Sequence, residues 1–283
     1  MGFEKIAENI YVLIDESYYD TISCALVLPN GLIMVDTGIH VGKMKEFKKF
    51  LESETGKKFN TLILTHHHSD HVMGNQFFSD CRIIATKSVA QKLKSWKKNM
   101  TPEQLKRRLE TVEDKTAYDG LEITIPNETF DDYLEIIDED VKLIIKRTGG
   151  HTKGSTYVYC PNYKVLVAGD NLLSNFHPYG ADPSCNPETW IDTLNEYLSL
   201  DVDYFITGHG EVSGKSLVKE TIVVIEEMRD YIKEQISQGK TKEEVVKEGY
   251  EMGFYPINEE DTFHVNAMKY TISNWYKFWS TKK

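Results

Sequence analysis

The stretch Thr61-Leu62-Ile63-Leu64-Thr65-His66-His67-His68-Ser69-Asp70-His71 joins a short apolar run to four histidines and an aspartate. Thr61–Leu64 suits a buried strand. Imidazoles and a carboxylate crowded into six residues serve neither an apolar core nor an ordinary surface loop. Imidazole nitrogen with carboxylate oxygen is the usual donor set for zinc and related borderline ions. Alternate residues of an extended segment point the same way, so His66 and His68 can share one ion. Asp70 and His71 follow where the loop turns, aimed toward a second ion.

Working outward, the same pattern recurs: a short apolar run stops at a polar or histidine-bearing loop. Leu32–Val35 leads to Asp36, Leu143–Ile145 to His151, Val165–Val167 to Asp170 and Tyr204–Ile206 to His209. Rigid strands hold their ends in register while the loops face solvent, so these ends predict one shared site. Ile10–Ile14 and Ser23–Leu28 read as strands, and Pro29-Asn30-Gly31 as a tight turn. A helix follows with Met44, Phe47, Phe50 and Leu51 on one stripe. From Ser216 onward the pattern is helical. Gly239 ends one helix, Thr241 with Glu244 forms a capping box for the next, and Tyr270, Trp275, Phe278 and Trp279 line the last. Thr86–Lys115 is basic and helical in character, with a fresh start at Thr101-Pro102-Glu103. It carries +5 against −16 for the remainder, and reads as a solvated helical insertion or a cationic rim over the site.

The 283 residues, 40% hydrophobic and 27% charged, describe an ordinary globular chain able to bury its own core. We read it as a single domain over 1–283, with a helical basic insertion at 86–115 and a helical C-terminal extension at 216–283. The net charge of −11 argues against nucleic acid as a partner, because a polyanion calls for a basic footprint. Cys24, Cys81, Cys160 and Cys185 form no Cys-x-x-Cys pair and read as reduced, buried thiols. Met1–Ile6 lacks the features of a signal peptide, and no apolar run approaches a membrane span. The expectation is a cytoplasmic protein with a small-molecule substrate and no membrane partner; homo-oligomerisation stays open.

With these residues in place, the sequence resembles the metallo-β-lactamase superfamily, whose central motif is His-x-His-x-Asp-His. Asp36 in Val35-Asp36-Thr37-Gly38 matches the first family motif, and His151 in Gly149-Gly150-His151-Thr152 the third. Asp170 in Gly169-Asp170 matches the fourth, and His209 in Gly208-His209-Gly210 the fifth. Gly-Asp and Gly-His-Gly each arise often by chance, whereas five motifs in order over roughly residues 8–215 do not. The resemblance implies an α+β fold, a four-layer αββα sandwich, here with the helical insertion and helical C-terminus. It implies that His66, His68 and His151 bind one divalent ion and Asp70, His71 and His209 a second, with Asp170 bridging. Asp36 would brace the metal loops by hydrogen bonding. Zinc is the expected metal, with iron and manganese as alternatives.

The chemistry expected of such ions is hydrolysis. Zinc lowers the pKa of its bound water from 15.7 to about 7. A hydroxide held between two ions, oriented by Asp70, would cleave an ester, thioester, lactone, lactam or phosphodiester bond. The β-lactamases of the superfamily carry Cys or Ser at the bridging position, where this chain has Asp170. Its diiron flavoproteins carry Glu where this chain has His68. The Tyr of the acyl-homoserine lactonases is replaced by Leu173, and the loop Asn171–Tyr179 lacks the Lys of the glyoxalase II thioesterases. The competing readings are an oxidoreductase resembling the persulfide dioxygenases, with one iron, and a nuclease resembling RNase Z. His177, Tyr179, Tyr18 and Tyr19 are the candidates for substrate contact; His40 and His67 receive no role, and His264 is weighed as structural.

Overall fold

The computed structural model describes residues 2–101, 103, 104, 107, 112, 114–257 and 259–281. The apolar runs become the strands of two sheets. The first has seven strands in sequence order: β1 (Phe3–Ala7), β2 (Ile10–Asp15), β3 (Thr21–Leu28), β4 (Gly31–Val35), β5 (Phe59–Ile63), β6 (Arg82–Thr86) and β7 (Glu128–Phe130). The second runs β12-β11-β10-β9-β8, from β8 (Tyr133–Asp138), β9 (Val141–Arg147), β10 (Thr156–Cys160), β11 (Val165–Gly169) and β12 (Tyr204–Thr207). β1 to β4 form an antiparallel meander, and Leu28 pairs with Gly31 across the Pro29-Asn30 turn. Pairing then turns parallel from β4 through β7, and again between β11 and β12.

Parallel neighbours need crossovers, and these supply helices. α1 (Val41–Thr55) links β4 to β5, the short α2 (Ser69–Val72) follows β5, and α3 (Lys87–Asn99) follows β6. α4 (Pro187–Ser199) links β11 to β12, and α5 (Lys215–Ser237), α6 (Lys242–Glu251) and α7 (Thr262–Ser280) complete the chain. Three apolar layers result. Val12, Cys24, Leu26, Leu143, Ile145, Val158, Cys160 and Val167 pack between the sheets. Met44, Phe47, Leu51, Leu62, Cys81 and Leu93 join the first sheet to α1 and α3. Leu166, Cys185, Trp190, Leu194, Ile225, Met228 and Trp275 join the second sheet to α4, α5 and α7. Each fully buried Leu or Ile contributes about 1.5–3 kcal/mol. This is the αββα sandwich, with its helical C-terminus packed on the second sheet.

Two stripe residues depart from expectation. Phe50 is 40% exposed and rests its ring 5.5 Å from Phe3, because Met44, Phe47 and Leu51 already fill the seam beneath α1. Tyr270 is 64% exposed, and Trp275 carries the packing of α7. The capping box forms: the Thr241 N–H donates to Glu244 Oε2 at 2.8 Å, and the Glu244 N–H to Thr241 Oγ1 at 3.3 Å. Within the basic insertion α3 is helical and capped by Thr86. At the fresh start expected at Thr101-Pro102-Glu103, Pro102 lies outside the described residues, while the Gln104 N–H donates to Thr101 Oγ1 at 3.2 Å and the Thr101 N–H to Gln104 Oε1 at 3.0 Å, a helix-start capping pair. Among the described residues, no helix is long and apolar enough to cross a membrane.

Candidate metal centre

The carboxyl ends of β4, β5, β11 and β12 open on one edge of the sandwich, as sites do in parallel sheets. Each ends in a loop bearing one part of the centre, and the β9–β10 loop adds His151. Two donor groups meet there. In the first, Asp170 Oδ2 lies 3.4 Å from both His66 Nε2 and His151 Nε2, and His151 Nε2 lies 3.0 Å from His68 Nδ1. In the second, His209 Nε2 lies 3.0 Å from Asp70 Oδ2, and His71 Nε2 lies 3.5 Å from the same oxygen. Asp170 Oδ1 faces this second group, 3.0 Å from His71 Nε2 and 3.7 Å from His209 Nε2. The two oxygens of Asp170 therefore face two different sets of nitrogens.

The rear nitrogens are held as well. Asp36 Oδ2 accepts from His71 Nδ1 at 3.0 Å and from the Thr65 hydroxyl at 2.6 Å, while its Oδ1 accepts the Thr65 N–H at 2.8 Å. The Thr65 oxygen in turn meets His66 Nδ1 at 3.0 Å. Backbone carbonyls serve two others: Tyr179 accepts from His151 Nδ1 at 2.7 Å and Tyr19 from His209 Nδ1 at 2.8 Å. Behind His68, Asp182 Oδ2 lies 3.4 Å from Nε2. A rear N–H bond leaves the facing nitrogen with its lone pair, the form that ligates metal.

Electrostatics divide the two groups: against burial, Asp170 and Asp70 raise His71 and His209, whereas His66 and His151 shift the other way. Burial drives His66 well below the ordinary imidazole range and His151 down to about 4, so both are neutral donors. Burial opposes the charge on Asp170, but the imidazoles of His71, His66 and His209 outweigh it and hold the carboxyl well below its usual range. Asp70 is held low against burial by His71 and His209. His66 Nε2, His71 Nε2 and Asp170 Oδ1 are buried without any hydrogen bond. Buried polar atoms are nearly always paired, and these three, divided between the two donor groups, have the arrangement that bound cations would satisfy. The residues present fit divalent metal ions.

Backbone constraints explain the local sequence. A Cβ on Gly208 would stand 1.9 Å from Asp170 Oδ1, so only glycine lets the His209 loop approach the shared carboxylate. Gly150 has φ +95°, and a Cβ there would meet Asn171 Oδ1 at 2.6 Å. That oxygen accepts the His151 N–H at 2.9 Å, tying the His151 loop to the residue after Asp170.

A cavity of about 330 Å³ opens above the centre, in the size range of small-molecule sites. Asp70, Asp170, His68 and His209 form its floor, and Tyr18, Tyr19, Trp96, Phe176, Tyr179 and Phe263 its walls, with Lys92 and Asp182 at one side. Tyr18, Tyr19 and Tyr179 thus fall where substrate contact was expected. His177 does not. It is 1% exposed and stacks on Phe176 with ring centroids 4.5 Å apart, which puts a phenyl ring between it and the cavity. His67 belongs to neither donor group, and its Nε2 lies 3.4 Å from Asp182 Oδ2. His40 caps α1 by accepting the Lys43 N–H. His264 packs edge-on against Phe176 at 4.3 Å. Asp182, Trp96, Lys92 and Phe263 were not singled out from sequence. Asp182-Pro183-Ser184 does carry an Asx-turn signal, and Asp182 Oδ1 accepts the Ser184 N–H at 2.8 Å, but nothing local links that turn to His68.

The sequence model of the metallo-β-lactamase superfamily matches residues 19–209. The chain belongs to this superfamily. The linear primary-alkylsulfatase of Pseudomonas sp. (strain ATCC 19151) is 23% identical over 252 residues, 77% of this chain and 48% of that protein. The metallo-beta-lactamase type 2 of Bacillus cereus is 23% identical over 230 residues, 78% of this chain and 81% of that one. Among solved structures, the stereoselective inverting sec-alkylsulfatase Pisa1 from Pseudomonas sp. aligns with a TM-score of 0.73 at 14% identity, over 100% of this chain and 50% of that one. The chain thus spans about half the length of the alkylsulfatases it matches. The span matched by the metallo-β-lactamase superfamily contains both donor groups, whereas Phe263 and helices α5–α7 lie beyond it.

Proposed function

We propose that the protein is a metal-dependent hydrolase of small molecules with two divalent ions, zinc the expected species. His66, His68, His151 and Asp170 would hold one ion, and Asp70, His71 and His209, with Asp170 shared, would hold the other. The observation that supports this most directly is Asp170, buried between two histidine groups with one oxygen turned to each. Bound divalent ions supply Lewis acidity and a water acidic enough to ionise near neutral pH.

The chain's own residues do the rest. Asp70, on the cavity floor, accepts a hydrogen bond from the attacking water and orients it. Burial pushes the phenols of Tyr18 and Tyr179 upward, so both stay protonated and can donate to a carbonyl or ester oxygen of the substrate. Six aromatic side chains exclude bulk water and strengthen every polar contact within. The bond cleaved is an ester, thioester, lactone, lactam or phosphodiester, and the alkylsulfatase relatives add sulfate esters. An aromatic-walled cavity of about 330 Å³ in a chain of net charge −11 favours a small molecule over the nucleic acid of an RNase Z-like reading. Donors for two ions favour hydrolysis over the single-iron persulfide dioxygenase reading. Four free thiols support the cytoplasmic placement.

Elemental analysis of protein purified without added metal tests this reading, followed by a screen of these ester classes before and after chelation. Two zinc ions per chain with chelator-sensitive hydrolysis is the expected result. A single iron with oxygen-dependent turnover, or no metal after reconstitution, would overturn it.

A further inference from the structure

We propose that the substrate of this site is an amphiphilic anion, with an aromatic or short alkyl group at one end and a carboxylate-like charge at the other. For the bond that breaks, this rests on the hydrolase reading; for the binding it does not. One wall of the cavity is built for an apolar group. Tyr19 stacks on Phe263 with centroids 4.5 Å apart and planes at 22°, and Phe176 lies 6.1 Å from Phe263. Another wall is α3, which presents Lys92 and, one turn on, Trp96 from the same face.

Charge distinguishes Lys92. The carboxylates of the floor, Asp70 and Asp170, face His71, His209, His66 and His151. Asp182 is engaged by His67 and His68 through one oxygen and by Ser184 through the other. Among the described residues, Lys92 is the one lysine or arginine lining the cavity, and it has neither a hydrogen bond nor an ion pair. Lys43, Lys87 and Lys146, by contrast, each hold a carboxylate. Lys92 is exposed at the cavity rim, and an unpaired ammonium there, beside an aromatic wall, attracts and orients an anion in an otherwise acidic protein.

Calorimetry on the metal-loaded full chain with 3-phenylpropionate, 3-phenylpropanol and propionate tests this. The expected result is that phenylpropionate binds roughly tenfold tighter than the alcohol or propionate. Lys92→Gln should erase the advantage over the alcohol and Lys92→Arg should keep it. Equal affinity for acid and alcohol overturns the proposal. So does an acid preference unchanged in Lys92→Gln, which would place the carboxylate on the metal ions. Selective binding without hydrolysis of any matching ester would defeat the hydrolase reading and leave this one standing.

A separate observation carries a second inference: the geometry points to Phe263 as a positioning residue for both donor groups. Its ring lies 4.5 Å from Tyr19 and 6.5 Å from Tyr179, at 22° and 19°. The carbonyls of these two tyrosines are the acceptors for His209 Nδ1 and His151 Nδ1, one histidine from each group. A residue of α7 therefore clamps two loops whose backbones aim the two histidines. Competition with a chromophoric chelator should show Phe263→Ala binding zinc roughly 10-fold more weakly, with Phe263→Tyr near wild type. Phe263→Leu, with near-ultraviolet circular dichroism as a check on folding, covers failure of the alanine variant. A folded variant with unchanged zinc affinity and only a raised KM would make Phe263 a wall residue and overturn the inference.

Discussion

Asp36 sits behind the centre with both oxygens committed, at φ +57° in the left-handed region that aspartate tolerates better than most residues. Its two jobs, anchoring Thr65 and accepting from His71, need an acceptor at each oxygen. Asp36→Asn keeps the shape but turns a donor toward one of them, so zinc affinity should fall roughly 10- to 100-fold. Chelator competition checks this, and an unchanged affinity would reject the bracing role. Asp170→Ala removes the carboxylate shared by both groups, and metal analysis should find both ions depleted together with activity; loss of one ion alone would contradict the shared role. At this scale legibility was uneven. His66, His68, Asp70 and His71 announce themselves because six residues hold all four. His151, Asp170 and His209 stood out through the apolar runs that lead into them and through the order of motifs. Asp182 was silent because its partner, His68, lies 114 positions away.

Helix α3 was legible as an element, but its orientation was not. Lysine content suggested a cationic rim, yet Lys94, Lys97 and Lys98 are exposed and do not line the cavity, whereas Lys92 does. Replacing those three with Gln should leave KM unchanged at moderate ionic strength, since exposed charges that touch no substrate are screened by salt. A several-fold rise in KM for anionic substrates would restore the rim. The Gly208–His209 turn makes the opposite kind of prediction. Gly208→Ala forces a methyl onto Asp170 Oδ1, so metal content should collapse while far-ultraviolet circular dichroism stays native. In α6 the capping box gives a stability test remote from the site: Thr241→Ala should cost about 1 kcal/mol in denaturant unfolding.

Across the whole molecule, the layer order followed from alternating strands and amphipathic helices. Contacts that cross layers did not, because packing alone brings α7 over loops from near both ends of the superfamily match. Donors drawn from four separate chain segments couple metal binding to folding. Metal present at 100 times its Kd stabilises by about 2.7 kcal/mol, so chelation should lower Tm by several degrees; an unaltered Tm would mean that the fold forms without regard to the centre. The cysteines add something of practical use. Cys24 and Cys160 lie between the sheets, Cys81 beneath α1 and Cys185 beneath α7. Burial raises all four thiols, Cys81 and Cys160 to about 11 and Cys185 to about 12, so almost no thiolate exists at neutral pH. Their alkylation must then wait for local opening. The unmodified chain carries a built-in clock in each layer, and mass spectrometry of the labelled peptides would time the opening of one layer against another.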